Sequence, residues 1–154
     1  MSINGNSILS LVHRLAAIAA FGIIAGFMIA TIVFEFNGDH ELIAIVKKSI
    51  YFTLPFLVIF MVITVVSGRK LASSYQHNPY VESKAKRMKW IGLNAFIFLI
   101  PLAVVLHLFA ESGRIDTTFY LLQLVEIVFG IINLYLFVKM FREGKQIPSY
   151  RHIA

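Results

Sequence analysis

The stretch ILSLVHRLAAIAAFGIIAGFMIATIVFEF, from Ile8 to Phe36, decides the fold class of this chain. It is longer than the ~20 apolar residues that a helix rising about 1.5 Å per residue needs to cross ~30 Å of hydrocarbon. A secretory signal has a shorter apolar core, so we expect this run to remain as a membrane helix. The pattern recurs in three further runs: Val46 to Gly68, Trp90 to Ala110 and Thr117 to Phe141.

The composition agrees with a protein that spans a bilayer. Of the 154 residues, 58% are hydrophobic and 14% are charged, against roughly 45–50% and about 25% in soluble domains. This pattern excludes a soluble globular domain, a disordered chain and a nucleic-acid-binding module. The chain has no cysteine, which excludes a disulfide framework and a thiolate metal site. Four runs with short connections predict one all-α domain, an integral membrane four-helix antiparallel bundle.

Basic residues lie mainly at one end of the predicted bundle. That end holds Arg14, Arg69, Lys70, Lys84, Lys86, Arg87, Lys89, Lys139, Arg142, Lys145 and Arg151. The other end has only Lys47, Lys48 and Arg114, and acidic residues offset them. The positive-inside rule therefore predicts cytoplasmic termini, in a bacterial inner membrane. The lipid bilayer, other membrane subunits or further copies of the chain are the expected partners, and nucleic acid is not.

Polar residues inside the predicted helices fall into two belts at shared depths. The cytoplasmic belt holds His13, Thr64, Asn94 and Asn133, and the outer belt holds Thr31, Thr53, His107 and Gln123. In the fourth helix, one face carries Gln123, Glu126, Gly130 and Asn133. A carboxylate costs several kcal/mol at the bilayer centre, so this face is expected to point inward.

Two features of the first and fourth helices have alternative interpretations. Glu126 is either a neutral carboxyl that bonds to a neighbouring helix, or a proton relay or cofactor contact. The small residues Gly22, Gly26 and Ala30 form a stripe that favours plain packing against another helix.

His13 and His107 are candidate metal ligands, specifically axial ligands of haem iron, or contacts to a quinone, or side chains that cap a packing contact between helices. They cannot share one iron, because the helix rise separates them by roughly 15–20 Å along the bundle. Each would need another partner, and the loops and the tail offer His40, His77 and His152. Around His13, we expect Asn94 and Asn133 to donate hydrogen bonds, and Arg14 to pair with a propionate or a lipid headgroup.

The layout resembles a known membrane superfamily. A histidine starts the first helix and precedes the small residues Ala16 and Ala17, and a proline lies inside the second helix, which ends Ser67-Gly68-Arg69-Lys70. A tryptophan, Trp90, opens the third. This pattern resembles the four-helix superfamily of bacterial protoporphyrinogen oxidase and the copper-resistance-D-like proteins. The resemblance implies a haem- or porphyrin-related pocket that uses His13. Asn94 stands where the oxidase has a lysine.

A shorter resemblance concerns the first helix alone. Ser10-Leu11-Val12-His13-Arg14 is similar to the S-x-x-H-R start of the first helix in the cytochrome b subunit of succinate dehydrogenases. That resemblance implies a quinone site bordered by Ser10 and Arg14.

Three functions remain open at this point. The first is a small redox-associated membrane protein with a haem b or quinone pocket. The second is a non-catalytic accessory subunit or assembly factor of a larger membrane complex. The third is a small transporter in which Glu126 couples transport to a proton.

Overall fold

The computed structural model describes residues 5–36, 38–73 and 79–144, which form helices joined by short turns. The α-helices are α1 (Gly5–Phe36), α2 (His40–Ala72), α3 (Pro79–Asn94), α4 (Ile100–Glu111) and α5 (Thr117–Gly144). A π-helical segment, Ala95–Leu99, joins α3 to α4, and we call the three together the third span. The described chain thus has four membrane-length helices and no strand, which confirms the predicted all-α fold class.

Each of the four helices is long and apolar enough to cross a bilayer. The spans run Ser7–Glu35, His40–Ala72, Glu82–Glu111 and Thr117–Arg142. Their outer surface carries many exposed large apolar side chains, such as Ile18, Phe56 and Leu124. Such an apolar surface is expected to contact lipid, because exposing it to water would cost free energy.

The helices form a ring in which each span packs against two neighbours. α1 packs on α2 and on α5, and the third span also packs on α2 and on α5. α2 and α5 are therefore diagonal to each other, and within the described residues none of their Cα atoms come within 8 Å of one another. A side chain that joins α2 to α5 has to cross the interior of the bundle.

The apolar core has two parts. The larger part is built around Ala20, Leu57, Met61, Ile91 and Phe137. The smaller part lies where α1 meets α2 and α4 meets α5, which we call the turn end of the bundle. We call this smaller part the end cluster, and it consists of Ile43, Leu106, Ala110 and Phe119.

The third span widens into its π-turn just before Pro101. The N–H of Ile100 bonds to the carbonyl of Ala95, five residues back. Proline has no N–H to donate. In a regular α-helix its ring would also clash with the carbonyl of the residue four positions earlier. The wider turn accommodates both effects, so the span continues through the proline. The π-segment begins directly after Asn94, one of the residues predicted to line a site.

The α4–α5 turn is closed by a Schellman motif. Gly113 has φ +71°, a conformation that glycine adopts without strain. Its N–H bonds to the carbonyl of Ala110 at 3.1 Å, and the Arg114 N–H bonds to Phe109 at 2.9 Å. These bonds satisfy carbonyls that the end of α4 leaves free.

Asp116 caps the start of α5. Its Oδ1 accepts hydrogen bonds from the backbone N–H groups of Thr118 at 2.9 Å and Phe119 at 3.0 Å. The bond from Phe119, followed by the hydrogen bond and charge of Arg114, lowers the pKa of the Asp116 carboxyl. The cap fixes where α5 begins and hence the register of every residue on its inner face.

Two glycines of the small-residue stripe of α1 face away from the described helices. Gly22 and Gly26 are exposed, and a Cβ added at either would meet no described atom within 4 Å. At these two positions no described helix packs on the stripe, and packing against a helix of another chain stays a prediction. α1 packs instead through the opposite face, which buries Ala16, Ala20 and Ile24.

Candidate functional site

Lys47 lies inside the bundle, with 1% of its side chain exposed. α2 begins at His40, well before the apolar run that starts at Val46, so Lys47 is already in its second turn. Ile43, Ile50 and Leu54 are buried on the same helical face, at the spacing of a core stripe. The helical register therefore directs the Lys47 ammonium toward the interior.

Three oxygen atoms surround that ammonium. Lys47 Nζ lies 3.0 Å from Glu126 Oε2, 3.4 Å from Glu35 Oε1 and 3.4 Å from the hydroxyl oxygen of Thr31. The carboxylates come from α5 and from the end of α1, so the contacts join three of the four spans. A buried ammonium without such partners would cost several kcal/mol.

Gln123 completes the group, one helical turn before Glu126. Its Nε2 donates to Glu126 Oε2 at 2.9 Å. A carboxylate only accepts hydrogen bonds, so the amide nitrogen has to face it, and Oε1 has to face away. Gln123 is 2% exposed, and its Oε1 has no hydrogen-bond partner among the described residues. We call Lys47, Glu35, Glu126, Gln123 and Thr31 the Lys47 cluster.

The charges of the Lys47 cluster do not cancel when both carboxyls are ionised. Glu35 and Glu126 then carry two negative charges against the single positive charge of Lys47. The surroundings are apolar, and an uncompensated charge there is costly. One proton or one additional cation makes the cluster neutral.

A cavity of about 60 Å³ opens beside the Lys47 cluster and extends toward the middle of the bundle. Thr31, Gln123 and Glu126 line its polar end, and its other walls are mainly apolar, with Ile24, Leu54 and Leu57 among them. Gly130 also lines it. A Cβ at Gly130 would come within 2.3 Å of Met28 Cε, so the space depends on glycine at this position.

The end cluster separates the Lys47 cluster from the turn end of the bundle. Phe119 is fully buried there, and Lys47 Nζ lies 6.0 Å from the centroid of its ring. The side chains of Glu35 and Glu126 are 13% and 14% exposed, so both carboxyls lie nearer to the surroundings than the Lys47 ammonium does. The site therefore combines buried charge, a closed apolar end and a small internal cavity.

His13 is held against α2, away from this cavity. Its Nδ1 lies 3.1 Å from the Thr64 carbonyl oxygen and 3.0 Å from the Ser67 hydroxyl. That hydroxyl donates to the carbonyl of Ile63, so it accepts from His13. In the neutral ring these bonds place the proton on Nδ1, so Nε2 carries no hydrogen and has a free lone pair. Gly68 permits the approach, since a Cβ there would lie 3.0 Å from His13 Cε1.

The two asparagines predicted around His13 lie on another interface. Asn94 Nδ2 donates to the carbonyl of Phe129 on α5 at 2.9 Å. Asn133 is fully buried, one turn after Phe129, and neither of its polar side-chain atoms has a partner in the described part of the chain. His13 bonds to α2 while Asn94 bonds to α5, and among the described residues no hydrogen bond joins these groups.

His107 is buried in α4, in the half of the third span nearer to the turn end of the bundle. Its ring stacks on Tyr51 with the centroids 4.5 Å apart, and its Nε2 lies 3.6 Å from the Glu111 carboxylate. Over the described ranges, no three His, Asp or Glu side chains gather into a group that would hold a metal ion. Arg14 and His40 are exposed, and His77 and His152 lie outside the described residues.

The sequence indicated Glu126 but not its partner. The charge count places Lys47 among the basic residues at the outer end of the bundle, offset by acidic residues there, whereas the structure buries it inside the bundle in α2. The available signal was the spacing of Lys47 from Ile43, Ile50 and Leu54, which follows the core face of a helix that starts at Asp39. Asp39 is a typical N-cap, and its Oδ1 accepts from the N–H of Glu41 at 2.9 Å.

Comparison with known proteins finds no match for this chain among family models, curated proteins or solved structures. A function for the chain therefore rests on the chemistry of its own residues.

Proposed function

We propose that the chain is a small proton-coupled transporter in which Glu126 takes up and releases the proton. The observation that carries this proposal is the Lys47 cluster, which sets two carboxyls against one ammonium inside a membrane-spanning bundle. Protonation changes the charge of this cluster from −1 to zero. A change of that kind alters the cost of burying the cluster and biases the packing around it.

The arrangement of the helices supports a movement of α5 relative to α2 when Glu126 takes up a proton. Lys47 and Glu126 belong to diagonal helices, so their bond holds α2 and α5 together across the interior. A proton on Glu126 removes the carboxylate that Lys47 binds and weakens this connection. The end cluster and the cavity lie on either side of the bond, where a small shift of α5 relative to α2 would open one and close the other.

The membrane and orientation belong to the same proposal. We place the chain in a bacterial inner membrane with both termini in the cytoplasm, on the distribution of Lys and Arg. The Lys47 cluster then lies in the outer half of the bilayer. The basic residues near the start of the third span, such as Lys86 and Lys89, lie at the level of cytoplasmic anionic headgroups.

The test is proton flux in vesicles that contain the purified protein and a pH-sensitive dye. An outward gradient of sodium, potassium, ammonium or methylammonium ions, tested one at a time, supplies the driving force, because a coupled transporter moves protons only when the coupled ion is present. We expect the wild type to conduct protons faster than empty vesicles, and Glu126→Gln to fall to the empty-vesicle rate. Glu41→Gln is the matched control, because Glu41 is an exposed carboxyl at the start of α2. Equal flux in the wild type and Glu126→Gln overturns the proposal.

A second candidate function rests on His13. The bond from Nδ1–H to the Thr64 carbonyl is the arrangement that orients metal-ligating histidines. A bare Nε2 ligates haem iron, whereas a quinone carbonyl needs a donor, so the tautomer favours haem b over quinone. His13 would supply one axial nitrogen.

An absorption spectrum of the purified protein tests this second candidate. A Soret band that is lost in His13→Ala and retained in His107→Ala supports haem ligation by His13. A colourless protein that is expressed with added haem precursor rejects it. Vesicle assays are independent of this result, so the two candidates are judged separately.

A further inference from the structure

We infer that the cavity beside the Lys47 cluster binds a small primary ammonium ion, which exchanges with the proton of the cluster. This inference rests on the proposed function and names the class of its substrate. It is carried by three observations: the acceptors at the polar end, the charge of the cluster, and the size and walls of the cavity.

The polar end of the cavity offers acceptors that the described residues leave unused. Gln123 Oε1 is buried and unpartnered in the described chain, and Gln123 lines the cavity. Glu126 lines it too, and both described bonds to its carboxylate end on Oε2. A ligand for this end has to bring N–H or O–H donors or a positive charge, because acceptors on the ligand would face acceptors on the protein.

The charge of the cluster selects a cation. With both carboxyls ionised the cluster has a charge of −1, and a bound monovalent cation makes it neutral. Lys47 already shows that an ammonium fits the oxygens of Glu126, Glu35 and Thr31. A second ammonium on the cavity side of Glu126 gives two cations for two carboxylates.

The walls and volume of the cavity set the size of the ligand. About 60 Å³ is several times the roughly 10–15 Å³ that a cavity needs to hold one water molecule. An ammonium group with one or two carbon atoms fits that space, and its alkyl end would lie against Ile24, Leu54 and Leu57. Apolar walls opposite a polar end are typical of sites for small organic ligands.

Proton and ammonium compete for the same negative charge. When the ammonium binds, the O–H bond of the protonated carboxyl breaks and the proton leaves for solvent. The ammonium then takes the place of the proton beside the carboxylate. The net charge of the site is zero before and after this exchange, so binding is accompanied by the release of one proton.

The test is proton release on addition of methylammonium chloride to the purified protein in weakly buffered detergent solution with a pH indicator. We expect saturable release that approaches one proton per chain. Tetramethylammonium, which has no N–H donor, and sodium chloride are the matched additions and are expected to release none. Release by sodium equal to that by methylammonium overturns the choice of ligand. No release by any of them means that the cavity holds only water, which also overturns the inference.

Two variants of Gln123 locate the site. Gln123→Leu removes the unused acceptor and is expected to weaken methylammonium binding by about tenfold or more, the usual effect of losing a hydrogen bond to a charged group. Gln123→Asn keeps an amide donor and an amide acceptor on a shorter side chain and is expected to bind methylammonium more tightly than Gln123→Leu. Helical circular dichroism checks that both variants fold. Unchanged affinity in a folded Gln123→Leu protein contradicts the inference.

The outcome is separable from that of the proposed function. Glu126-dependent proton flux that sodium or potassium ions drive and methylammonium does not retains the transporter and rejects the ligand. Methylammonium binding without Glu126-dependent flux retains the binding site and rejects the transporter.

Discussion

The Lys47 ammonium and the Glu126 carboxylate meet inside the bundle, with Nζ 3.0 Å from Oε2, although 79 residues separate them in the chain. They belong to α2 and α5, which are diagonal in the ring of helices. Since the two backbones do not touch in the described structure, these side chains form a direct polar link across the interior. Charge, packing and protonation are therefore coupled at one place.

Loss of the Lys47 ammonium should destabilise the bundle strongly. Lys47→Met leaves Glu126 and Glu35 without their cation, and breaking a buried ion pair from one side typically costs about 3–5 kcal/mol. Thermal or denaturant unfolding in detergent measures the change. Lys48→Met is the control, because Lys48 is exposed one position further along α2. Equal stability of the two variants would contradict the buried arrangement.

A double variant separates charge from packing at the same pair. Lys47→Met combined with Glu126→Leu replaces the pair with apolar groups of similar volume, which is often neutral or stabilising when both charges go. We expect the double variant to recover most of the stability that Lys47→Met loses. If the two losses simply add, the charges do not interact in the folded protein.

Gly130 should control the volume of the cavity. In Gly130→Ala the new Cβ displaces Met28 Cε, which lies 2.3 Å from its position. Because that atom is the end of a flexible side chain, we expect the protein to stay folded while the cavity shrinks. Proton flux and methylammonium binding should both fall severalfold. Gly26→Ala is the control, since a Cβ there meets no described atom within 4 Å.

Asp116 should make stability depend on pH in the acidic range. Its folded-state pKa lies below the ordinary carboxyl value of about 3.9. A lowered pKa stabilises the folded state above the ordinary value, and this contribution is lost as the pH falls through the folded-state pKa. Asp116→Asn keeps a capping oxygen without titrating. Unfolding measured from neutral to acidic pH should therefore vary less in the variant, and an identical pH profile would contradict the role of the cap.

We expect the Asn133 side chain to destabilise the folded protein. It is fully buried, and both of its polar side-chain atoms lack partners among the described residues. Asn133→Leu keeps the number and branching of the side-chain heavy atoms and removes these polar groups, so we expect a gain of about 1–3 kcal/mol. Asn133→Ala is the comparison, because it opens a cavity and should not gain. A loss in Asn133→Leu would show that the amide binds a partner that matters to the fold.

Much of the architecture follows from the sequence alone. Four long apolar runs can only be membrane helices, because backbone groups in hydrocarbon need internal hydrogen bonds. The inward face of α5 also follows, since Gln123, Glu126 and Asn133 recur at helical spacing and a carboxylate cannot face lipid. These are local properties of one helix and its solvent.

Only the tertiary structure decided which groups meet. The partner of Glu126 lies on another helix. How the spans pack decides whether Lys47 and Glu35 come close to the Glu126 carboxyl. The same packing left the stripe of Gly22 and Gly26 on the outside and held His13 against α2 instead of beside Asn94. Periodicity fixes the direction of a side chain around its own helix, whereas long-range pairing depends on the rotation of each helix relative to its neighbours. That rotation is set by the fit of all the side chains together.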